Sequence, residues 1–138
     1  MVVTLFYLAR QIRVNAKQLQ RQIDSDLDNL VFQAYDPIYQ GRNAEIMFNG
    51  LYHPETITGP DRYTFDLLMH RHAHVIFTVG ERFLAGEISE QTFRNYAFHY
   101  QQVLVGTPGG GAWFKQHGEL ARTTLARMGL SGLETEGT

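Results

Sequence analysis

Apolar residues recur every three or four positions between residues 59 and 86, which is the spacing that places side chains along one face of an α-helix. Pro60 suits the first turn of a helix, where its missing N–H is not needed, and Asp61 places negative charge at the positive end of the helix dipole. The pattern therefore predicts a central helix at 60–86 that several other segments must cover. Its apolar stripe consists of Phe65, Leu68, His72, Val75, Ile76, Val79 and Phe83, widened by Leu67, Met69 and Phe77.

The segment after the central helix is predicted to be its antiparallel partner. Gly86 ends the central helix, and Ser89 is a favourable N-cap for the next helix, at 89–105. The connection through Glu87 and Ile88 is too short for any arrangement other than an antiparallel hairpin. The apolar face of this second helix consists of Phe93, Tyr96, Ala97, Tyr100, Val103 and Leu104.

A long helix is predicted at 10–35, before the bundle. Its apolar residues form a narrow seam, which suits one side of a helical bundle or a coiled-coil stalk that joins two copies of the chain through residues 12–30. The helix is expected to end at Asp36, because the residue before Pro37 avoids helical backbone angles, and a short helix is expected at 38–49 with Asp36 as its N-cap. The seam consists of Ile12, Ala16, Leu19, Ile23, Leu27 and Leu30.

Glycines are predicted to divide the rest of the chain. Gly50 is expected to end the short helix as part of a C-cap. The glycine-rich run at 106–111 is expected to be a turn that lets Trp113 fold back onto the bundle. A short helix around Trp113 is expected next, and Gly118 is expected to break it, so that a last helix occupies 119–128.

These segments together predict the fold class. Within the sequence, no segment alternates apolar and polar residues with the period of two that strands show. The chain is therefore predicted to be all-α, with a long N-terminal helix followed by a small helical bundle at 36–128 that has a central antiparallel helix hairpin. Residues 129–138, which are rich in Gly, Glu and Thr, are expected to fray.

The first nine residues form a separate apolar run, interrupted only by Thr4. As a helix they rise only about 14 Å, roughly half the thickness of a hydrocarbon core. A secretory signal carries its basic residues before the apolar run, so the reverse order here excludes an export signal. Two interpretations are open: the end of a transmembrane helix whose earlier part is missing, or an apolar helix end that packs on the domain or lies in the membrane interface.

Charge favours the first interpretation. Basic residues follow the apolar run at once, without an acidic residue before Gln22, and the positive-inside tendency would hold the following domain in the cytoplasm. We therefore interpret residues 1–9 as the remnant of a single-pass anchor in the inner (cytoplasmic) membrane and residues 10–35 as a juxtamembrane helix. The basic residues are Arg10, Arg13, Lys17 and Arg21.

Composition excludes several classes of function. Twelve Lys and Arg residues against fourteen Asp and Glu residues leave the chain close to neutral, so nucleic acid is not an expected partner. The chain has no cysteine, which excludes disulfides, a thiolate nucleophile and cysteine-ligated zinc. The absence of cysteine also fits a reducing compartment.

Three histidines at 70, 72 and 74 form the one stretch that resembles a metal site. On a helix His70 and His74 share a face while His72 points away, so two of the three at most would bind one ion. The zincin pattern is absent because no Glu follows His70. We therefore assign no metal ligand, and expect these histidines to be core or surface residues. Further ligands would have to come from a carboxylate or from His53, His99 or His117, of which His99 is favoured.

Other polar patterns propose no reaction. The glycine-rich run lacks the Gly-Lys-Ser/Thr of a phosphate-binding loop, and no strand precedes it. Arg62 and Asp66 lie one turn apart and are expected to pair on the surface. We therefore assign no catalytic residue and no cofactor, and an enzyme is not the favoured class. Two alternatives are a small metal-dependent or hydrolytic enzyme built on the histidines, and a soluble ligand-binding bundle with the first nine residues packed inside.

Four short motifs carry a resemblance to known proteins: LARQIR at 8–13, NGLYHPE at 49–55, RYTF at 62–65 and PGGGAWF at 108–114. Together they make the chain similar to a group of small bacterial proteins that have one N-terminal transmembrane helix, a helical domain and no assigned activity. The resemblance implies a membrane location and a helical fold. The sequence therefore predicts a membrane-tethered cytoplasmic helical module that interacts with an unknown protein partner or acts as a sensor.

Overall fold

The computed structural model describes residues 2–102 and 106–127, with the side chains at 120–125 and 127 excluded. This part of the chain forms five α-helices and contains no strand, so the predicted all-α class is confirmed. A long N-terminal helix precedes a helical bundle, also as predicted. The helices are α1 (Val2–Tyr35), α2 (Gly41–Tyr52), α3 (Pro60–Leu84), α4 (Glu90–Tyr100) and α5 (Pro108–Arg127), and a single 3₁₀ turn at Pro54–Thr56 joins α2 to α3.

Helix α3 is the centre of the bundle, because it contacts each of the other four helices. Most of its predicted stripe is buried, and Met69 and Val79 are completely enclosed. The rings of Phe83 and Phe93 stack with their centroids 4.8 Å apart, while His72 lies opposite Tyr100 at 6.3 Å. Phe83 lies near the end of α3 and Phe93 near the start of α4, whereas His72 lies mid-way along α3 and Tyr100 ends α4. This order of contacts shows that the two helices are antiparallel, as predicted. The hydroxyl of Ser89 accepts a hydrogen bond from the N–H of Thr92 and caps α4 as expected.

The predicted bounds of α2 were wrong at both ends. Asp36 does not cap a helix at residue 38: residues 36–40 form turns, and α2 begins at Gly41, whose φ of 54° suits glycine. Gly50 does not end α2, because it lies inside the helix and is buried against the ring of Phe65. A Cβ at this position would collide with that ring. Gly50 therefore allows α2 to pack closely against Phe65 of α3, and it does not end the helix.

The turn predicted at 106–111 is confined to residues 106–107, and the predicted break at Gly118 was wrong. Residues 108–127 form one continuous helix, whose first turn is capped by the Thr107 hydroxyl as it accepts a hydrogen bond from the N–H of Gly110 (3.1 Å). Gly109 lies against the backbone carbonyl of Gly50, where no Cβ would fit. Gly109 thus allows α2 and α5 to approach closely, at a helix-propensity cost of about 1 kcal/mol. The predicted positions of Val103, Leu104 and the tail at 129–138 lie outside the described residues.

Helix α1 packs on the bundle through its carboxyl half alone. Leu27 and Val31 are buried there, and the Tyr96 hydroxyl donates a hydrogen bond to Asp28 (2.6 Å). Further along, the guanidinium Nε of Arg71 donates to the carbonyl of Ala34 (2.9 Å). By contrast, every residue from 2 to 22 is exposed.

Candidate functional site

A groove of about 650 Å³ opens between the start of α3 and the start of α5. Gly109 and Ala112 of α5, whose side chains are small, line this space. The polar groups that line it come from both helices, and they include a cation, a carboxylate, a phenol, an amide and an imidazole. These groups belong to Arg62, Tyr63 and Asp66 on α3 and to Gln116 and His117 on α5.

Asp66 is the polar centre of this groove. Its Oδ1 accepts a hydrogen bond from the indole Nε1 of Trp113, at 2.7 Å. Nε2 of His70 lies 3.6 Å from Oδ2 of Asp66, and Nε2 of His117 lies 3.6 Å from Oδ1. Both separations exceed ordinary hydrogen-bond lengths. Asp66, His70 and His117 each offer one atom that could bind a metal ion, and these three atoms lie within 4.8 Å of one another. The three residues are therefore a candidate cation site.

The rings around Asp66 pack closely together. Trp113 stacks on His117 with the ring centroids 4.8 Å apart, and it meets the edge of His70 at 4.9 Å. Nδ1 of His117 lies 3.1 Å from the carbonyl oxygen of Trp113. Because a carbonyl oxygen can only accept, Nδ1 carries the hydrogen in this contact. A neutral His117 therefore has its lone pair on Nε2, the nitrogen that faces Asp66.

A second histidine cluster lies inside the bundle, around His72. This residue has no solvent exposure, and its ring lies 4.8 Å from Tyr35, 5.9 Å from His99 and 6.3 Å from Tyr100. Among the described residues, neither ring nitrogen of His72 has a hydrogen-bond partner, and the buried hydroxyl of Tyr100 has none either. Burial lowers the pKa of His72 from 6.5 to about 3, with repulsion from His99 as the smaller cause. His72 is therefore a neutral core residue.

The structure does not bring together the histidines that the sequence favoured. His74 is exposed, and His99 contacts the rings of Tyr35 and His72 instead of approaching His70. The partners of His70 are Asp66, one turn earlier on α3, and His117 on α5. Asp66 was predicted to pair with Arg62, but its carboxylate is turned to the indole of Trp113.

The amino end of α1 is the second candidate surface. Its apolar side chains are 49–81% exposed, so the domain body does not cover them. Gln20 contacts the body, where its side-chain amide donates to the carbonyl of Glu87 (3.3 Å). From Gln20 the helix extends about 27 Å towards residue 2, at 1.5 Å per residue. The exposed apolar residues are Val2, Val3, Leu5, Phe6, Tyr7 and Leu8.

Comparisons with known proteins identify no relative: family models, curated proteins and solved structures all give no match to this chain. None of the helices in the described part of the chain combines the length and the apolar character needed to cross a membrane.

Proposed function

We propose that this protein is a helical module tethered to the cytoplasmic face of the inner membrane through the amino end of α1. The body of the domain then serves as an interaction or sensing module next to the membrane. One observation carries the proposal: the apolar side chains at residues 2–8 are exposed on a helix that extends beyond the body.

The distribution of these side chains around the helix supports lipid as their environment. At about 100° per residue, the six side chains point in all directions around the axis. A protein partner packed along one face of α1 would leave the other faces in water. Lipid surrounds an inserted helix on every side, and each buried CH₂ group contributes about 0.8 kcal/mol.

The charges that follow the apolar end support the same location. Arg10, Arg13, Lys17 and Arg21 recur at spacings of three and four, so they lie along one stripe of α1. The first acidic residue of the chain is Asp24. A basic residue near an anionic surface contributes about 1 kcal/mol. The stripe is therefore suited to lipid phosphates once the apolar end has entered the bilayer, and the positive-inside tendency supports the cytoplasmic side.

Vesicle flotation of the full chain tests this proposal, with vesicles that contain phosphatidylglycerol. The test variant is Phe6→Asp and the matched control is Phe32→Asp, because these two phenylalanines lie on the same helix and are 77% and 73% exposed. Only Phe6 lies at the apolar end. We expect the wild type and the control to float, and Phe6→Asp to bind at least about tenfold more weakly, because a charge replaces an inserted ring. Equal flotation of the two variants, or a wild type that stays in solution, would contradict the proposal.

Self-association through residues 12–30 remains a second proposal for the same helix. Leu27 is buried against the bundle of its own chain, whereas Ile12 and Leu19 are 68% and 59% exposed. The surface open to a second copy is therefore the outer half of the seam. Sedimentation of the full chain in detergent tests it: a dimer that Leu19→Asp converts to a monomer supports this interface, and a monomeric wild type removes it.

A further inference from the structure

We propose that Asp66, His70 and His117 bind one divalent transition-metal ion of the Zn²⁺ type, with a coordination position open to the groove between α3 and α5. No residue of α1 takes part in this site, so the proposal stands or falls separately from membrane tethering. It rests on the chemistry of the three donors, on their separations, and on the contacts that orient them.

The donor set selects the class of metal. Two imidazole nitrogens and one carboxylate oxygen suit Zn²⁺ and neighbouring transition metals. Mg²⁺ and Ca²⁺ prefer oxygen ligands, and only one of these three residues, Asp66, offers oxygen. Asp66 and His70 come from successive turns of α3, and His117 comes from α5, so the ion would join the two helices.

The separations are close to those that a metal requires. Zinc binds nitrogen and oxygen at 2.0–2.2 Å, so two ligand atoms in a tetrahedral site lie about 3.3 Å apart. Nε2 of His70 lies 3.6 Å from Oδ2 of Asp66, and Nε2 of His117 lies 3.6 Å from the other oxygen, Oδ1. With one ligand atom taken from each residue, the three atoms lie within 4.8 Å of one another. Small side-chain rotations close the difference. The side chain of His70 is 53% exposed and has room for such a rotation.

Two hydrogen bonds orient the side chains of His117 and Asp66, which would be metal ligands. The contact between Nδ1 of His117 and the Trp113 carbonyl leaves the Nε2 lone pair directed at Asp66. The indole N–H of the same tryptophan holds Oδ1 of Asp66, which leaves Oδ2 beside His70. Metal-binding histidines ordinarily donate their second ring N–H to a carbonyl or carboxylate, and metal-binding carboxylates are themselves hydrogen-bonded. Trp113 supplies both kinds of support.

The fourth position of the site faces the groove. Three protein ligands with one exchangeable position are the arrangement of metal sites that bind water or a small ligand. Asp66 and His117 both line the groove, and Arg62, Tyr63 and Gln116 surround the same space. The metal would therefore be accessible to a small polar molecule without rearrangement of the bundle.

Zinc titration of the full chain tests the proposal, by calorimetry in a non-ionic detergent after treatment with chelator and without a histidine tag. We expect one Zn²⁺ per chain. His117→Gln and Asp66→Asn should each weaken binding at least about 100-fold, and Trp113→Phe about 10-fold, since it removes one supporting contact and keeps the ligands. The matched controls are His74→Gln and His99→Gln, which should bind zinc like the wild type.

Far-UV circular dichroism identifies any variant that does not fold. An NMR measurement on the wild type then tests the proposal without relying on variants. In the wild type, zinc should shift the imidazole NMR signals of His70 and His117 and leave those of His74 and His72 in place. The proposal is overturned by a wild type that binds no zinc, by equal weakening in His74→Gln and His117→Gln, or by shifts confined to other histidines.

Discussion

Two pairs of histidines meet along α3, and they differ in almost every physical respect. His70 approaches His117 at the edge of an open groove, with Asp66 beside both rings. His72, only two residues further on, is buried near the rings of Tyr35 and Tyr100, and it contacts the ring of His99, which is itself exposed. The two pairs face different sides of the same helix.

The comparison shows how the surroundings decide what a histidine does. Near Asp66, the negative charge of the carboxylate and the access to solvent both favour a bound metal cation. Around His72, burial disfavours any charge and holds its pKa near 3. The first pair is therefore the one that we propose as a metal site, whereas His72 is a packing residue.

The largest effect should come from placing a lysine at a buried and at an exposed histidine position of α3. His72→Lys puts an ammonium group where the native side chain has no solvent exposure. Fully buried lysines have their pKa lowered by 3–5 units, so the expected loss of unfolding free energy is at least about 3 kcal/mol. His74→Lys on the exposed side of α3 should change it by less than about 0.5 kcal/mol. Urea denaturation at pH 7 measures both.

Equal stability of these two variants would mean that His72 is not enclosed, and the contrast between the two pairs would disappear. His72→Leu is the control for size, since it fills similar space without a polar atom. Because the imidazole nitrogens of His72 have no partner among the described residues, this variant should be at least as stable as the wild type at pH 7.

An intermediate effect is expected from pH. The folded-state pKa of His72 is about 3, below its usual 6.5, so the unfolded chain takes up the proton first. The contribution of neutral His72 to stability is complete above pH 6.5 and is lost as the pH falls towards 3. The expected slope in this window is about 1.4 kcal/mol per pH unit, measured by urea denaturation with chelator present.

Carboxylates also titrate in this window, so the informative quantity is the difference between the wild type and His72→Leu. The variant should lack the His72 component and lose less stability from pH 6 to pH 4. Tyr35 and Tyr100 remain neutral throughout this pH range, because burial raises the pKa of each phenol. The other titratable group that faces His72 is His99. Parallel pH curves for the two proteins would show that His72 becomes charged in the folded state.

The fold could largely be predicted from the sequence because helical periodicity is local information. The central position of α3, its hairpin with α4 and the end of α1 before Pro37 all follow from apolar spacing, Ser89 and one proline. Glycine caused the errors, because local rules treat it as a helix breaker. Gly50 and Gly109 are instead placed where α2 and α5 touch, and that reason exists only in three dimensions.

The candidate site could be predicted only in part, for a related reason. Asp66 and His70 are one turn apart, so their proximity is visible in the sequence. The approach of His117 depends on how α5 packs against α3, which is a contact between distant parts of the chain that the sequence pattern does not specify. The burial of His72 shows why a cluster of histidines in the sequence does not by itself define ligands.

The smallest effect concerns the hydrogen bond that orients Asp66. Trp113→Phe removes the indole N–H, and Asp66→Asn weakens the acceptor, so a double-mutant cycle isolates the pair from the loss of ring volume. We expect a coupling free energy of about 1 kcal/mol, because the bond involves a charged acceptor but Asp66 is 36% exposed to solvent. Urea denaturation with chelator present measures the four proteins of the cycle.

A second cycle, Trp113→Phe with His74→Asn, provides the reference, because His74 is exposed and does not take part in the contacts around Trp113. Its coupling should be zero within error. A coupling for Trp113 and Asp66 that is equally small would mean that the indole does not hold the carboxylate in solution. Asp66 would then be as free to turn as any surface carboxylate, and the difference between the two histidine pairs would reduce to burial alone.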